Sequence, residues 1–184
     1  MGFEVLKDFE FYSKVTDEVI EKYKDKIPNE LLEIWQDYGF GTFANGYIKV
    51  VNPDDYVEIL KESYFASNVA IPIFTTGFAD IIVWQKNKYV ALVNYRKSTS
   101  PLYPFRFIDF LTDYNSPEEE DVAEFLDNGQ YNGAVELLGK LEYDECFGYV
   151  PLLALGGSEK IEKLQKMKIF PHIGLITDVS GRIE

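Results

Sequence analysis

The chain is nearly without the two side chains that carry much of enzyme chemistry. Among its 184 residues there is one cysteine, Cys146, and one histidine, His172. A single cysteine excludes an intrachain disulfide. One Cys with one His leaves no zinc site of the usual ligand types. No D-x-[DN]-x-[DN]-G loop supports a calcium site either. Bases are also scarce: 18 Lys and Arg stand against 31 Asp and Glu, a formal net charge of -13. A field of that sign repels the phosphates of nucleic acids, whose binding rests on Lys and Arg. Anionic membranes are disfavoured for the same reason. No uncharged run reaches the roughly 18 residues a membrane helix needs, and the N-terminal MGFEVLKDFEF has no apolar signal core. Neither nucleic acid nor membrane is an expected partner, no cofactor is expected, and a cytoplasmic location is the expectation.

What is present is a core. Hydrophobic residues make up 46% of the chain, with 14 Phe, 13 Tyr and 2 Trp. That composition is far from disorder. The acid excess favours a basic macromolecular partner, because opposite fields speed encounter. The same excess also serves solubility with no partner at all.

Local signals divide the chain into elements. Ser13 and Thr16 can cap a first helix running to about Lys26, with Val15, Val19, Ile20 and Tyr23 on one face. Ile27-Pro28 ends it, and Leu31, Leu32, Trp35 and Tyr38 mark a second helix that Gly39 stops. Asn45-Gly46 reads as a turn and residues 47–51 as a strand. Asn52-Pro53-Asp54-Asp55 combines a cap, a first-turn proline and two acids on the positive dipole end of a helix. Residues 70–77 read as extended, and DIIVWQ and YVALVNY flank Lys86-Asn87-Lys88 as a hairpin. RKSTSPLYP, residues 96–104, is the best internal boundary. A short helix at 107–112, another started by Ser116-Pro117-Glu118-Glu119-Glu120, and a third over 131–141 follow. Residues 149–155 read as an apolar strand that Pro151 confines to an edge or a bulge. Residues 159–180 read as mostly helical. The fold class is α+β, with a mainly antiparallel central sheet and helices packed around it.

YDECFGYVPLLALGG, residues 143–157, gathers acids, the cysteine, two tyrosines and two glycines, so it invites a catalytic reading. Asp144 and Glu145 are adjacent, so they diverge where paired-carboxylate catalysis needs convergence. Cys146 lies between an acid and a phenylalanine, both of which disfavour thiolate, so a buried inert thiol is expected. Gly156-Gly157-Ser158-Glu159 lacks phosphate-loop spacing, and Ser158 as a helix cap explains it more simply. Gly39-Phe40-Gly41 fits the letters of a dinucleotide loop, but a helix precedes it where that motif needs a strand. His172, beside Phe170, Pro171 and Ile173, reads as a hydrogen-bonded packing histidine.

The same stretch carries a resemblance. ECFGYVPLLALGGSEKIEKLQKMK, residues 145–168, resembles the C-terminal module of bacterial type VI secretion immunity proteins, whose run is close to E-x-[YF]-G-[FY]-x-P-A-L-A-L-G-G followed by ENLQKVK and E-H-L. Glu145, Phe147, Gly148, Tyr149, Pro151, residues 153–157, residues 164–166 and Lys168 match. Leu152 replaces the usual Ala, and Pro171-His172-Ile173 replaces E-H-L. IPNELLEIWQDYGFGTFANGYIKVVNPDDY resembles the GAD-like domain that precedes this module and is similar in layout to the SMI-type immunity superfamily. The resemblance implies a GAD-like segment over residues 1–100 and an immunity module over 101–184, together one compact unit. It implies a non-catalytic protein that neutralises a cognate secreted toxin, in some members a nuclease, and supplies no catalytic residues. The alternative is a small enzyme using carboxylates, with or without a divalent ion. A tRNA-linked accessory domain has the charge against it.

The expected partner surface follows from charge and aromatic anchors. Asp54, Asp55, Glu118, Glu119, Glu120 and Asp121 would meet a basic toxin. Tyr103, Tyr114 and Tyr131, which lie in polar sequence surroundings, would supply anchors from exposed positions. Solvated, dipole-favourable helix starts are the simpler account of the same acids.

Overall fold

DIIVWQ and YVALVNY place apolar side chains at successive positions, not alternate ones. In a strand this makes both faces apolar, so both faces of the sheet need cover. The computed structural model, which describes residues 2–114 and 119–184, shows this arrangement. Six antiparallel strands lie in chain order: β1 (Glu10–Ser13), β2 (Phe40–Phe43), β3 (Ile48–Val50), β4 (Ala70–Thr76), β5 (Ile81–Gln85) and β6 (Tyr89–Val93). Ile82, Trp84, Val90 and Leu92 face a first apolar cluster, and Ile81, Val83, Ala91 and Val93 face a second.

The first cluster is covered by α1 (Asp17–Tyr23), α2 (Asn29–Asp37), α4 (Phe107–Asp113), α5 (Glu119–Leu126) and α6 (Tyr131–Leu138). The second is covered by α3 (Pro53–Ser63), between β3 and β4, and by α7 (Ile169–Ser180). The local signals hold. Thr16 accepts from the Val19 N–H at 3.3 Å and opens α1. Asn52 accepts from the Asp54 N–H at 3.1 Å and opens α3. Gly39 sits at φ +83°, and an added Cβ would come within 2.6 Å of the Ser13 carbonyl, so the stop is glycine for two reasons. The β5–β6 hairpin turns at Lys86 and Asn87, both at positive φ, with Asn87 also accepting from Trp84 Nε1 at 3.1 Å.

The C-terminal stretch differs from the sequence expectation. The strand is β7 (Glu145–Tyr149), not 149–155. Pro151 follows it in a cis peptide, and Leu153–Leu155 forms a 3-10 turn that leaves Leu155 exposed. Ser158 caps no α-helix; a 3-10 turn begins only at Ile161. Leu164–Lys168, expected within a helix, is strand β8, paired antiparallel with β7 from Glu145↔Lys168 to Tyr149↔Leu164. The cause is tertiary. Cys146 enters the second cluster while Phe147 and Tyr149 enter the first, so β7 is buried and its ladder needs a partner. Leu164, buried beside four longer polar or half-buried side chains, supplies one.

A buried ion pair ties the segments together. Arg96 donates from Nε and Nη2 to Asp80 at 3.0 and 2.6 Å, and to the carbonyls of Asp127 and Leu126 at 2.9 and 3.2 Å. Its guanidinium lies 4.3 Å from the centre of the Phe78 ring. Lys97 extends the network outward to Asp127 and Glu159.

Candidate partner-binding surface

The expected tyrosine anchors are core residues. Tyr103, Tyr114 and Tyr131 are all buried. Residues 101–103 run along β6, where the Leu92 N–H donates to the Pro101 carbonyl and the Tyr103 N–H to the Val90 carbonyl; this turns Leu102 outward and Tyr103 in against Phe110 and Phe125. Tyr114 packs on Phe43 and Phe110. Tyr131 packs on Tyr47, Phe78 and Phe147, and its hydroxyl donates to the Asn45 carbonyl at 2.9 Å. The polar surroundings misled because a tyrosine can bury its ring while its hydroxyl reaches a polar group.

The acids divide. Glu118 lies outside the described residues; Glu119, Glu120 and Asp121 open α5, and Asp121 is exposed. Asp54 and Asp55 open α3, but Asp54 is engaged by Lys22 and by the Tyr23 hydroxyl. α5 packs on the first cluster and α3 on the second, so the two acidic helix starts belong to elements that cover opposite faces of the sheet.

Asp55 stands at a different feature, an open groove of about 330 Å³ lined by Tyr12, Asp55, Tyr56, Tyr143, Asp144, Ile169 and Phe170. Four elements build it. The register of β1 against β2 slips between Phe11 and Ser13, which leaves Tyr12 unpaired. Such a bulge re-aims a side chain, and the Tyr12 ring stacks on Tyr143 with centroids 3.9 Å apart and planes at 12°. The cap and proline of α3 set Asp55 and Tyr56. Tyr143 and Asp144 come from the turn before β7. Lys49 of β3, itself 1% exposed, holds that turn: its ammonium donates to the carbonyls of Glu142 and Tyr143 at 2.7 and 3.2 Å. Burial lowers the Lys49 pKa to about 8. The Tyr143 hydroxyl donates to the Val50 carbonyl at 2.6 Å. The first turn of α7 supplies Ile169 and Phe170, and Phe170 tilts against Tyr56 at 4.8 Å.

Charge in the groove is unevenly satisfied. Lys168 donates to both oxygens of Asp144 at 2.8 Å and holds that carboxyl below its ordinary range. Asp55 pairs with no cation among the described residues. Tyr12 is 61% and Phe170 42% exposed, so both rings present surface to a partner.

Sequence reasoning reached Asp55 and missed the four aromatics. A signal existed in EFYS, where adjacent aromatics on a strand cannot both face the core. Phe170 and Tyr143 had none, because their neighbours in space are distant in the chain.

The residues expected to be inert are buried. Burial pushes the Cys146 thiol up to about 12, against the pull of the Lys49 ammonium. Burial takes the His172 imidazole down to about 4. His172 packs as expected, but its Nδ1 has no hydrogen-bond partner. Among the described residues, no group of three or more His, Cys, Asp or Glu could hold a metal ion, and no helix is long and apolar enough to cross a membrane.

No curated protein matches the chain. Its fold is similar to the crystal structure of Atu4351 from Agrobacterium tumefaciens, with a TM-score of 0.73 over 95% of this chain and 87% of that one, at 16% identity. Residues 107–180 match the family of the T6SS immunity protein Tdi1, C-terminal, a match that supports an immunity role. Residues 3–95 match the GAD-like domain, and the chain belongs to that family, with a module of the immunity-protein type behind it.

Proposed function

We propose that this protein is a non-catalytic immunity protein that binds and neutralises a cognate secreted toxin inside the cell that makes it. The match of residues 107–180 to an immunity-protein module carries this reading. The toxin is a basic protein, and a nuclease is the class that fits best. A net charge of -13 steers a basic partner, and carboxylates can occupy a groove built for phosphates. The aromatic groove at Tyr12, Tyr56, Tyr143 and Phe170, with Asp55 on its wall, is the docking surface. A non-catalytic role agrees with the burial of Cys146 and His172, which keeps both from a substrate.

The test is protection. Effector genes of the same genome are expressed singly in a heterologous host, with and without this protein. One effector should arrest growth alone and be silenced by coexpression, and the purified pair should form a complex. If no effector is bound or silenced, the immunity reading is wrong.

A further inference from the structure

Resting on the immunity reading, we infer that the groove at Tyr12 and Phe170 receives an arginine side chain of the toxin, its guanidinium laid on the aromatic faces and paired with Asp55. Size comes first. At about 330 Å³ the groove is at the low end of small-molecule sites and has room for one long side chain. Lining comes second. Two aromatic pairs form it, Tyr12 on Tyr143 and Tyr56 on Phe170.

Charge decides between occupants. An apolar anchor would take Asp55 out of water with nothing to replace it, and an unpaired buried carboxylate is costly. An acidic or phosphorylated group would meet Asp55 and the overall negative field. The two cations beside the groove do not offset this. Lys168 is committed to Asp144, and Lys49 to the carbonyls beneath Tyr143. A cation satisfies Asp55 and gains from the rings. Arginine is favoured over lysine because its planar, weakly hydrated guanidinium stacks on a ring and forks to a carboxylate together.

Two measurements test this. In the first, ring resonances of Tyr12 and Phe170 are followed by NMR while acetyl-Gly-Arg-Gly-amide is added, with the citrulline peptide as the uncharged control. The arginine peptide should shift both rings and the citrulline peptide neither. Equal shifts with citrulline overturn the proposal. In the second, the toxin that the protein neutralises is titrated against Tyr12→Ala, Tyr12→Phe and Asp55→Asn. Tyr12→Ala and Asp55→Asn should each weaken binding about ten-fold, within the reach of one cation–π contact, while Tyr12→Phe keeps affinity. If all variants bind like the parent and still protect, immunity stands and the arginine site falls. If no toxin is neutralised, the immunity reading falls, and the peptide experiment still reports on the groove. A dimer in sedimentation, lost in Phe170→Ala, would mean that a second copy fills the groove and would also overturn the proposal.

Discussion

His172 is the only histidine, so its titration can be followed without ambiguity. Its ring lies over Gly148, where an added Cβ would come within 2.7 Å of Nε2, and burial lowers its pKa to about 4. In the unfolded chain the ordinary value is about 6.5. Between these values the unfolded state binds a proton that the folded state refuses, so stability rises with pH. The contribution is complete above about 6.5 and is lost as pH falls toward 4, a change on the order of 3 kcal/mol. The imidazole proton shift should therefore stay flat through pH 6.5 and move only near pH 4. An inflection near 6.5 would show that the ring reaches water. Arg96 offers a second residue-scale prediction. Its pair with Asp80 is buried on both sides, 3% and 0% exposed. Asp80→Ala removes the closer of the two carboxylates on a buried guanidinium, leaving only Asp127 at 3.4 Å, and should cost about 3–5 kcal/mol in urea unfolding. A cost under about 1 kcal/mol would show the pair to be dispensable.

At the scale of elements, the turn after β7 brings backbone onto backbone. Gly157 folds back onto the carbonyl of Pro151, and an added Cβ would overlap it and sit 2.9 Å from the Leu152 oxygen. The obstacle is backbone, which cannot swing aside. Gly157→Ala should destabilise by about 1–3 kcal/mol, the usual cost of overpacking. Gly156→Ala instead meets no neighbouring atom but is strained by φ +84°. β7 itself hides Cys146, whose thiol is pushed up to about 12. Native-state labelling by a thiol reagent should be slow, with a rate that follows opening of the β7–β8 unit and rises with urea. Fast labelling in buffer alone would contradict that burial.

At the scale of the molecule, the two matched segments share one apolar cluster. Phe147 and Tyr149 of β7 enter the same core as Ile48 and Phe74 of the sheet. Arg96 reaches from the end of the sheet segment to the carbonyls that end α5, those of Leu126 and Asp127. Urea unfolding followed by tryptophan fluorescence, from Trp35 and Trp84, should therefore coincide with far-UV loss in a single transition. Two separated transitions would show the segments to unfold independently. The acidic field acts at this scale as well. Under the proposed immunity reading with a basic toxin, association should slow as salt rises, about ten-fold or more from low to physiological ionic strength, while dissociation changes little.

Much of the fold was legible because its signals are local. The cap at Thr16, the Asn52-Pro53 start, the positive φ at Gly39 and the hairpin at Lys86 and Asn87 each act within a few residues. The two-sided apolar run over β5 and β6 likewise announces a sheet covered on both faces. The resemblance of residues 145–168 was readable for the same reason, since its run is contiguous. Tertiary structure decided what depends on distant neighbours. LQKMK is a strand because a buried β7 needs its backbone bonds met. Tyr103, Tyr114 and Tyr131 are core because rings from α4, α5, β7 and the first-half sheet region, with the Asn45 carbonyl, close around them. The groove exists only where a bulge in β1, the start of α3, the turn under Lys49 and the start of α7 converge. A pair such as Tyr12 and Tyr143 is stacked in space and remote in the chain. Capping and turn energies depend on adjacent dihedrals and can be read in order, whereas burial depends on which surfaces meet, and that is set by the packing of the whole chain.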